Sequence, residues 1–167
     1  AGEAIFLRSG GSAGDGNVQA VLGFGKADSS SKRTGSAIAS VQTDSDTDKI
    51  GIGFYTSDGS SSSQTMDQRL LLDHLGNVGI GEDDIDARFH ISTASSGLVN
   101  QKFESTGSTA WRIGIPAGAT YFAFDDSSDD LSSPEVVMTT AGNVGIGIAA
   151  PESKLHIYSS DASVAPV

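Results

Sequence analysis

The stretch Gly142-Asn143-Val144-Gly145-Ile146-Gly147 repeats, residue for residue, the earlier Gly76-Asn77-Val78-Gly79-Ile80-Gly81, 66 residues upstream (142 to 76). The register holds on both sides of the motif. Leu70-Leu71-Leu72 answers Val136-Val137-Met138, and Arg88-Phe89-His90-Ile91 answers Lys154-Leu155-His156-Ile157. Self-similarity at a fixed period is the mark of tandem structural modules. Each copy reads as an apolar strand, a tight turn, a second strand, a short polar connection and a third strand. The turns are Asp73 to Asn77 and Thr139 to Asn143. In them Gly76 and Gly142 supply positive φ, while the Asp, Thr and Asn77 or Asn143 side chains bond nearby backbone groups.

The second strand decides how the module packs. With a period of two, Val78 and Ile80 point one way and Gly79 and Gly81 the other, and the same holds for Val144, Ile146, Gly145 and Gly147. Interior glycine weakens a strand and marks a place where another backbone comes close. The expectation is a thin sheet face pressed against a symmetry mate or a preceding layer. Val78, Ile80, Val144, Ile146, Leu155 and Ile157 then fill a shared interior.

Working outward, further short apolar runs read as strands: Ala4–Leu7, Val18–Phe24, Ser36–Val41 and Ile50–Tyr55 before the first copy, and Leu98–Phe103, Trp111–Ile115 and Tyr121–Phe124 before the second. Gly, Ser and Asp loops bound them all. A helical turn is expected at Pro151–Lys154, because proline suits a first helical position. The residues 64–72 carry a helical alternative, which the match to Val136–Met138 resolves towards strand at its end. The chain is therefore all-β, with a first module over 1–96, a second over 97–158, and a tail or the start of a next module over 159–167.

Composition points the same way. Ten Lys and Arg against 21 Asp and Glu leave a net charge of −11, which excludes a simple phosphate-backbone binder. Hydrophobic residues are 37% and aromatics 7%, with 21 glycines, so the chain has few large side chains to offset its ordering entropy. Such a chain borrows core from other chains or stays partly unordered. The absence of cysteine excludes disulfides, thiolate metal sites and a cysteine nucleophile. No apolar run approaches the roughly 18 to 20 residues of a membrane helix, and no secretory signal is visible. An N-terminus without Met and the ending Ser163-Val164-Ala165-Pro166-Val167 read as a fragment or a processed chain.

Gly-Asn-Val-Gly-Ile-Gly followed by Pro151 and Lys154-Leu155-His156-Ile157 resembles a repeat of bacteriophage tail fibres and related long surface appendages. Trp111-Arg112-Ile113-Gly114, the aromatic strand ending in Asp125, and Ile52-Gly53-Phe54-Tyr55-Thr56-Ser57 carry the resemblance further, over most of residues 20–158. The first copy departs from it, with Glu82-Asp83-Asp84-Ile85 where small residues and proline are usual. The resemblance implies an elongated homotrimeric fibre of triple β-helix or β-prism character, often followed by an intramolecular chaperone domain, which is not visible here. It also implies a non-enzymatic structural segment of a virion tail fibre, outside the cell, whose partners are other tail or fibre proteins and host cell-surface glycans. It involves neither nucleic acid nor membrane insertion. The rival readings are an adhesive segment of a bacterial surface filament and a polysaccharide depolymerase.

Individual sites carry little chemistry. Asp44-x-Asp46-x-Asp48 opens like a calcium loop, but Lys49 replaces the turn glycine and Tyr55 stands where the bidentate Glu belongs. A solvated loop is the expectation there, as for Asp125, Asp126, Asp129 and Asp130. Gly145-x-Gly147-x-x-Ala150 matches a relaxed dinucleotide fingerprint, but Pro151 follows and no crossover helix opens. His90 and His156, as repeat equivalents, read as strand-packing residues. No spacing suggests a catalytic triad, and no cofactor is implied. Trp111, Tyr121, Phe122 and Phe124 form the main aromatic group. Trp111 and Tyr121 are the receptor-contact candidates, because aromatic faces stack on sugars.

Overall fold

The computed structural model describes residues 16–27, 32–57, 66–93, 96–107, 109–126 and 130–159. The strand expected at Ala4–Leu7, Asp129, and nearly all of the tail 159–167 lie outside them. The chain forms two units, Ala1–Ser92 and Thr93–Val167, so the division falls a few residues before the expected 96/97 boundary.

In the first unit, β1 (Val18–Ala27), β2 (Lys32–Gln42), β3 (Ile50–Ser57), β4 (Met66–Leu72), β5 (Val78–Ile80) and β6 (Phe89–Ile91) form one six-stranded sheet in chain order. In the second, β7 (Val99–Phe103), β8 (Trp111–Ile115), β9 (Tyr121–Asp125), β10 (Val136–Thr139), β11 (Val144–Ile146) and β12 (Leu155–Ile157) do the same. The described residues contain strands, turns and bends but no helix. Pro151–Lys154 is a bend: the chain must enter β12 at once, and the Ser153 hydroxyl donates to the Leu155 carbonyl at 2.8 Å.

Both sheets are antiparallel meanders up to their last pair. β5 and β6, and likewise β11 and β12, run parallel. A parallel partner requires the chain to return across one face, ordinarily over a dozen or more residues. Here residues 81–88 and 147–154 make the return, and these short crossings govern the packing of each module.

The duplication extends beyond what the sequence displays. Leu70, Leu71 and Leu72 pair with Ile80, Gly79 and Val78, just as Val136, Val137 and Met138 pair with Ile146, Gly145 and Val144. Across the next ladder, Phe54 pairs with Leu70 as Phe124 does with Val136. One strand further, Ile38 pairs with Phe54 as Ile113 does with Phe124. All six strands therefore have counterparts, with loops of different length between them.

Each sheet has a small-residue face that its own chain covers over part of its area. In the first unit Ala37, Ala39, Val41, Gly53, Leu71 and Gly79 are buried there. In the second, Ala123, Leu131 and Val137 form the core, with Leu98 and Tyr121 packed against it. Leu131 is 0% exposed and sits at φ +59° in the β9–β10 connection. Arg112 and Asp125 stand opposite each other on β8 and β9, both buried. The Asp125 carboxylate also accepts the Ser133 N–H at 3.1 Å.

Candidate functional site

The turn residues close the β4–β5 and β10–β11 hairpins as expected. Gly76 and Gly142 adopt φ +80° and +73°. Their N–H groups donate to the carbonyls of Asp73 and Thr139. The Asp73 carboxylate accepts the N–H groups of Leu75 and Asn77, and the Asn77 amide reaches its second oxygen at 2.9 Å. Burial pushes the Asp73 carboxyl up, but the bonds from Asn77 and Leu75 outweigh it and hold it below its usual range. Thr139 offers a single hydroxyl, so the Asn143 amide turns instead to the Pro151 carbonyl at 3.2 Å. The repeated cation of the motif also has a local task. Arg88 donates to the Leu75 carbonyl and Lys154 to the Ala141 carbonyl, at 3.1 and 2.8 Å, clamping the third strand to the turn.

The repeated glycines meet backbone, and it is backbone of their own chain. A Cβ on Gly79 would stand 2.5 Å from the Glu82 carbonyl oxygen and 2.9 Å from the Ile85 side chain. On Gly145 it would collide with the Ile148 carbonyl. Gly81 and Gly147 adopt φ +68° and +70°, and a Cβ on either would strike the carbonyl of Ser92 or Tyr158. The crossing segments 81–88 and 147–154 press onto the glycine face because a short parallel return leaves no room for side chains beneath it. Sequence reading missed the two isoleucine lids, Ile85 and Ile148; the apolar residue in each polar connection was their only signal.

Val78, Ile80, Val144, Ile146, Leu155 and Ile157 all lie on the opposite face, and that face is open. In an antiparallel ladder, directly paired residues share a face. The register therefore builds the row Leu22–Ile38–Phe54–Leu70–Ile80–Ile91 across the whole first sheet. Beside it runs Ile52–Leu72–Val78–Phe89. The second sheet carries Ile113–Phe124–Val136–Ile146–Ile157 and Phe122–Met138–Val144–Leu155. None of these positions is charged, although 19% of the chain is. Leu22, Ile52, Phe89, Met138 and Leu155 are between 45% and 59% exposed. Scattered exposed apolar residues are ordinary, whereas continuous uncharged rows across a six-stranded sheet mark an interaction surface.

The two receptor candidates part company. Trp111, paired with Phe103, stands on the open apolar face and is 47% exposed. Tyr121 lies on the other face, against the Leu131 core. Phe122 and Phe124 meet edge to face, with centroids 5.6 Å apart. Of the four aromatic residues, Trp111, Phe122 and Phe124 share the open face and Tyr121 alone turns to the core.

The remaining polar candidates serve local structure. Asp44 accepts the Asp46 N–H, pairs with Lys49 at 3.1 Å, and is held below its usual pKa by those contacts. Asp46 accepts the Asp48 N–H, and Asp130 the Ser132 N–H. Among the described residues no group of three or more His, Asp or Glu could hold a metal. His74 Nδ1 lies 2.9 Å from the Thr43 hydroxyl, and His156 Nδ1 accepts the Glu152 N–H. His90 sits between Glu82 and Asp86, at 3.8 and 3.2 Å. On the small-residue face of the first sheet, Val41, Tyr55, Leu71, His74 and Ile85 border an open cleft of about 830 Å³, in which the Tyr55 hydroxyl donates to Gln68 at 2.9 Å.

No protein-family model matches the chain, and no curated protein matches it. The functional reading rests on the modules and their surfaces.

Proposed function

We propose that this chain is a non-enzymatic structural segment of a homotrimeric bacteriophage tail fibre, extending the shaft and presenting surfaces to host cell-surface glycans. The observation that carries the reading is the tandem module. Two sheets with one strand order follow each other, and each lays its own crossing segment on one face while leaving uncharged apolar rows on the other. The motif resemblance supports the tail-fibre assignment. Among the described residues the buried cluster of the second module is small, formed by Ala123, Leu131 and Val137, which favours a core completed by other chains. A repeating unit of this kind is suited to a shaft whose chains complete each other's cores and whose weak receptor contacts gain from threefold presentation. The virion tail, outside the cell, is the corresponding location, with other tail or fibre proteins as neighbours.

The test is native mass by light scattering at two widely separated protein concentrations. A persistent mass of three 17.0 kDa chains is expected. A folded monomer at both concentrations would overturn the assembly. Absence of binding on a glycan array, with the trimer intact, would overturn the receptor role alone.

A further inference from the structure

We infer that copies of this chain meet through the large-residue face of each sheet, so that the crossing segments 81–88 and 147–154 lie on the outside of the assembly. The inference rests on the assembly part of the proposed function and is independent of its receptor part. It also reverses the sequence expectation for the glycines. At Gly79 and Gly145 the glycine face is already occupied, by Ile85 and the Glu82 carbonyl in one module and by Ile148 in the other, and what stays open on that face of the first sheet is a cleft rather than a flat surface. The face available to a partner is the one bearing Leu22, Ile38, Phe54, Leu70, Ile80 and Ile91, together with its counterpart in the second module.

Three observations select a second copy as the occupant. The first is area. In the second module Phe103, Trp111, Ile115, Phe122, Met138 and Leu155 are 37% to 59% exposed. At roughly 80 to 100 Å² each, these and their flanking isoleucines present about 700 Å², close to the roughly 800 Å² that each partner contributes to a standard stable interface. The second is charge. In a chain of net charge −11 both sets of rows are free of charged residues, even though charged side chains occur elsewhere in the same strands, such as Asp67 and Arg69 in β4 and the buried Arg112 and Asp125 in β8 and β9. Copies can therefore approach through these rows without bringing like charges together. The third is dependence. Among the described residues few large side chains are fully buried, so each module gains most from a partner that covers its apolar rows, and another copy is the partner present whenever the chain is made.

Trp111 changes role in this arrangement. Its place beside Phe103 on the open face makes it an interface residue rather than a receptor contact. Receptor contacts then fall to the crossing side, where Ile85 and Ile148 seal the sheets and the polar residues of 81–88 face outward.

The chain supplies its own reporter, because Trp111 is the single tryptophan. Acrylamide quenching of its fluorescence, read together with light scattering on the same samples, tests the interface. The expected result is a three-chain mass with Trp111 quenched several-fold less efficiently than in the urea-unfolded chain, and with blue-shifted emission. A persistent three-chain mass with Trp111 fully accessible to quencher would overturn this interface while leaving the assembly standing. A folded monomer would overturn both. Ile38→Lys is expected to abolish the three-chain mass, whereas Ala87→Lys, the same charge change on an exposed crossing residue, is expected to keep it. Retention of mass and of tryptophan protection in Ile38→Lys would also overturn the interface. If that variant fails to fold, the wild-type quenching result decides.

Discussion

Asp73 Oδ1 accepts the backbone N–H of Asn77 at 2.8 Å, a bond for which Thr139, its repeat equivalent, supplies only a hydroxyl at 3.2 Å from Asn143 N. A carboxylate held below its usual pKa by such bonds contributes stability that is fully present above the unfolded value, near 3.8, and lost as pH falls through the lower folded value. Thermal melts are therefore expected to show the first hairpin weakening below about pH 4, and Asp73→Ala to cost about 1 kcal/mol at neutral pH after allowance for partial exposure. A flat dependence in that window would remove the role given to Asp73.

Glu135 has the opposite sign. Burial raises its carboxyl first, and the neighbouring Asp126 adds to this against the bonds that lower it. An acid raised in the folded state favours folding while protonated, and that contribution is lost as pH rises through the raised value above 4.5. Glu135→Gln keeps an acceptor for the Asp126 N–H, now at 3.0 Å from Oε2, and is expected to raise the melting temperature at pH 7. An unchanged or lower melting temperature would count against the assignment.

The glycines separate two kinds of constraint. Gly79→Val drives a side chain into the Glu82 carbonyl and Ile85, and is expected to destabilise its module by about 3 kcal/mol. Gly76 has φ +80° and open space around it, so Gly76→Ala carries only the left-handed backbone penalty, about 1 kcal/mol. Urea midpoints of the two variants measure the difference. Equal midpoints would contradict the close crossing.

Leu131 fills the small-residue face of the second sheet with no exposure at all. Leu131→Ala is expected to cost about 3 kcal/mol through lost burial and the cavity left behind. Hydrogen exchange at the amides of Ala123 and Val137 reports it locally. Protection unchanged there would show that the core lies elsewhere.

The sequence by itself determined the strands, the two hairpin turns and the duplication of the last three strands of each module. All of these depend on interactions between residues close along the chain: the glycine at positive φ, the side chain that bonds its own turn, the alternation of Val and Ile with Gly. The earlier half of the duplication was hidden because Phe54, Ile38 and Leu22 correspond to Phe124, Ile113 and Gln101, and each intervening loop changes the offset. Tertiary structure alone decided the parallel third strand and which face the chain covers. Alternation shows that Gly79 and Ile80 look opposite ways, but only the path of residues 81–88 shows which of the two is sealed. That path follows from a parallel return too short to leave room for a Cβ, which closes the sheet at the glycines within the chain and leaves the large residues uncovered.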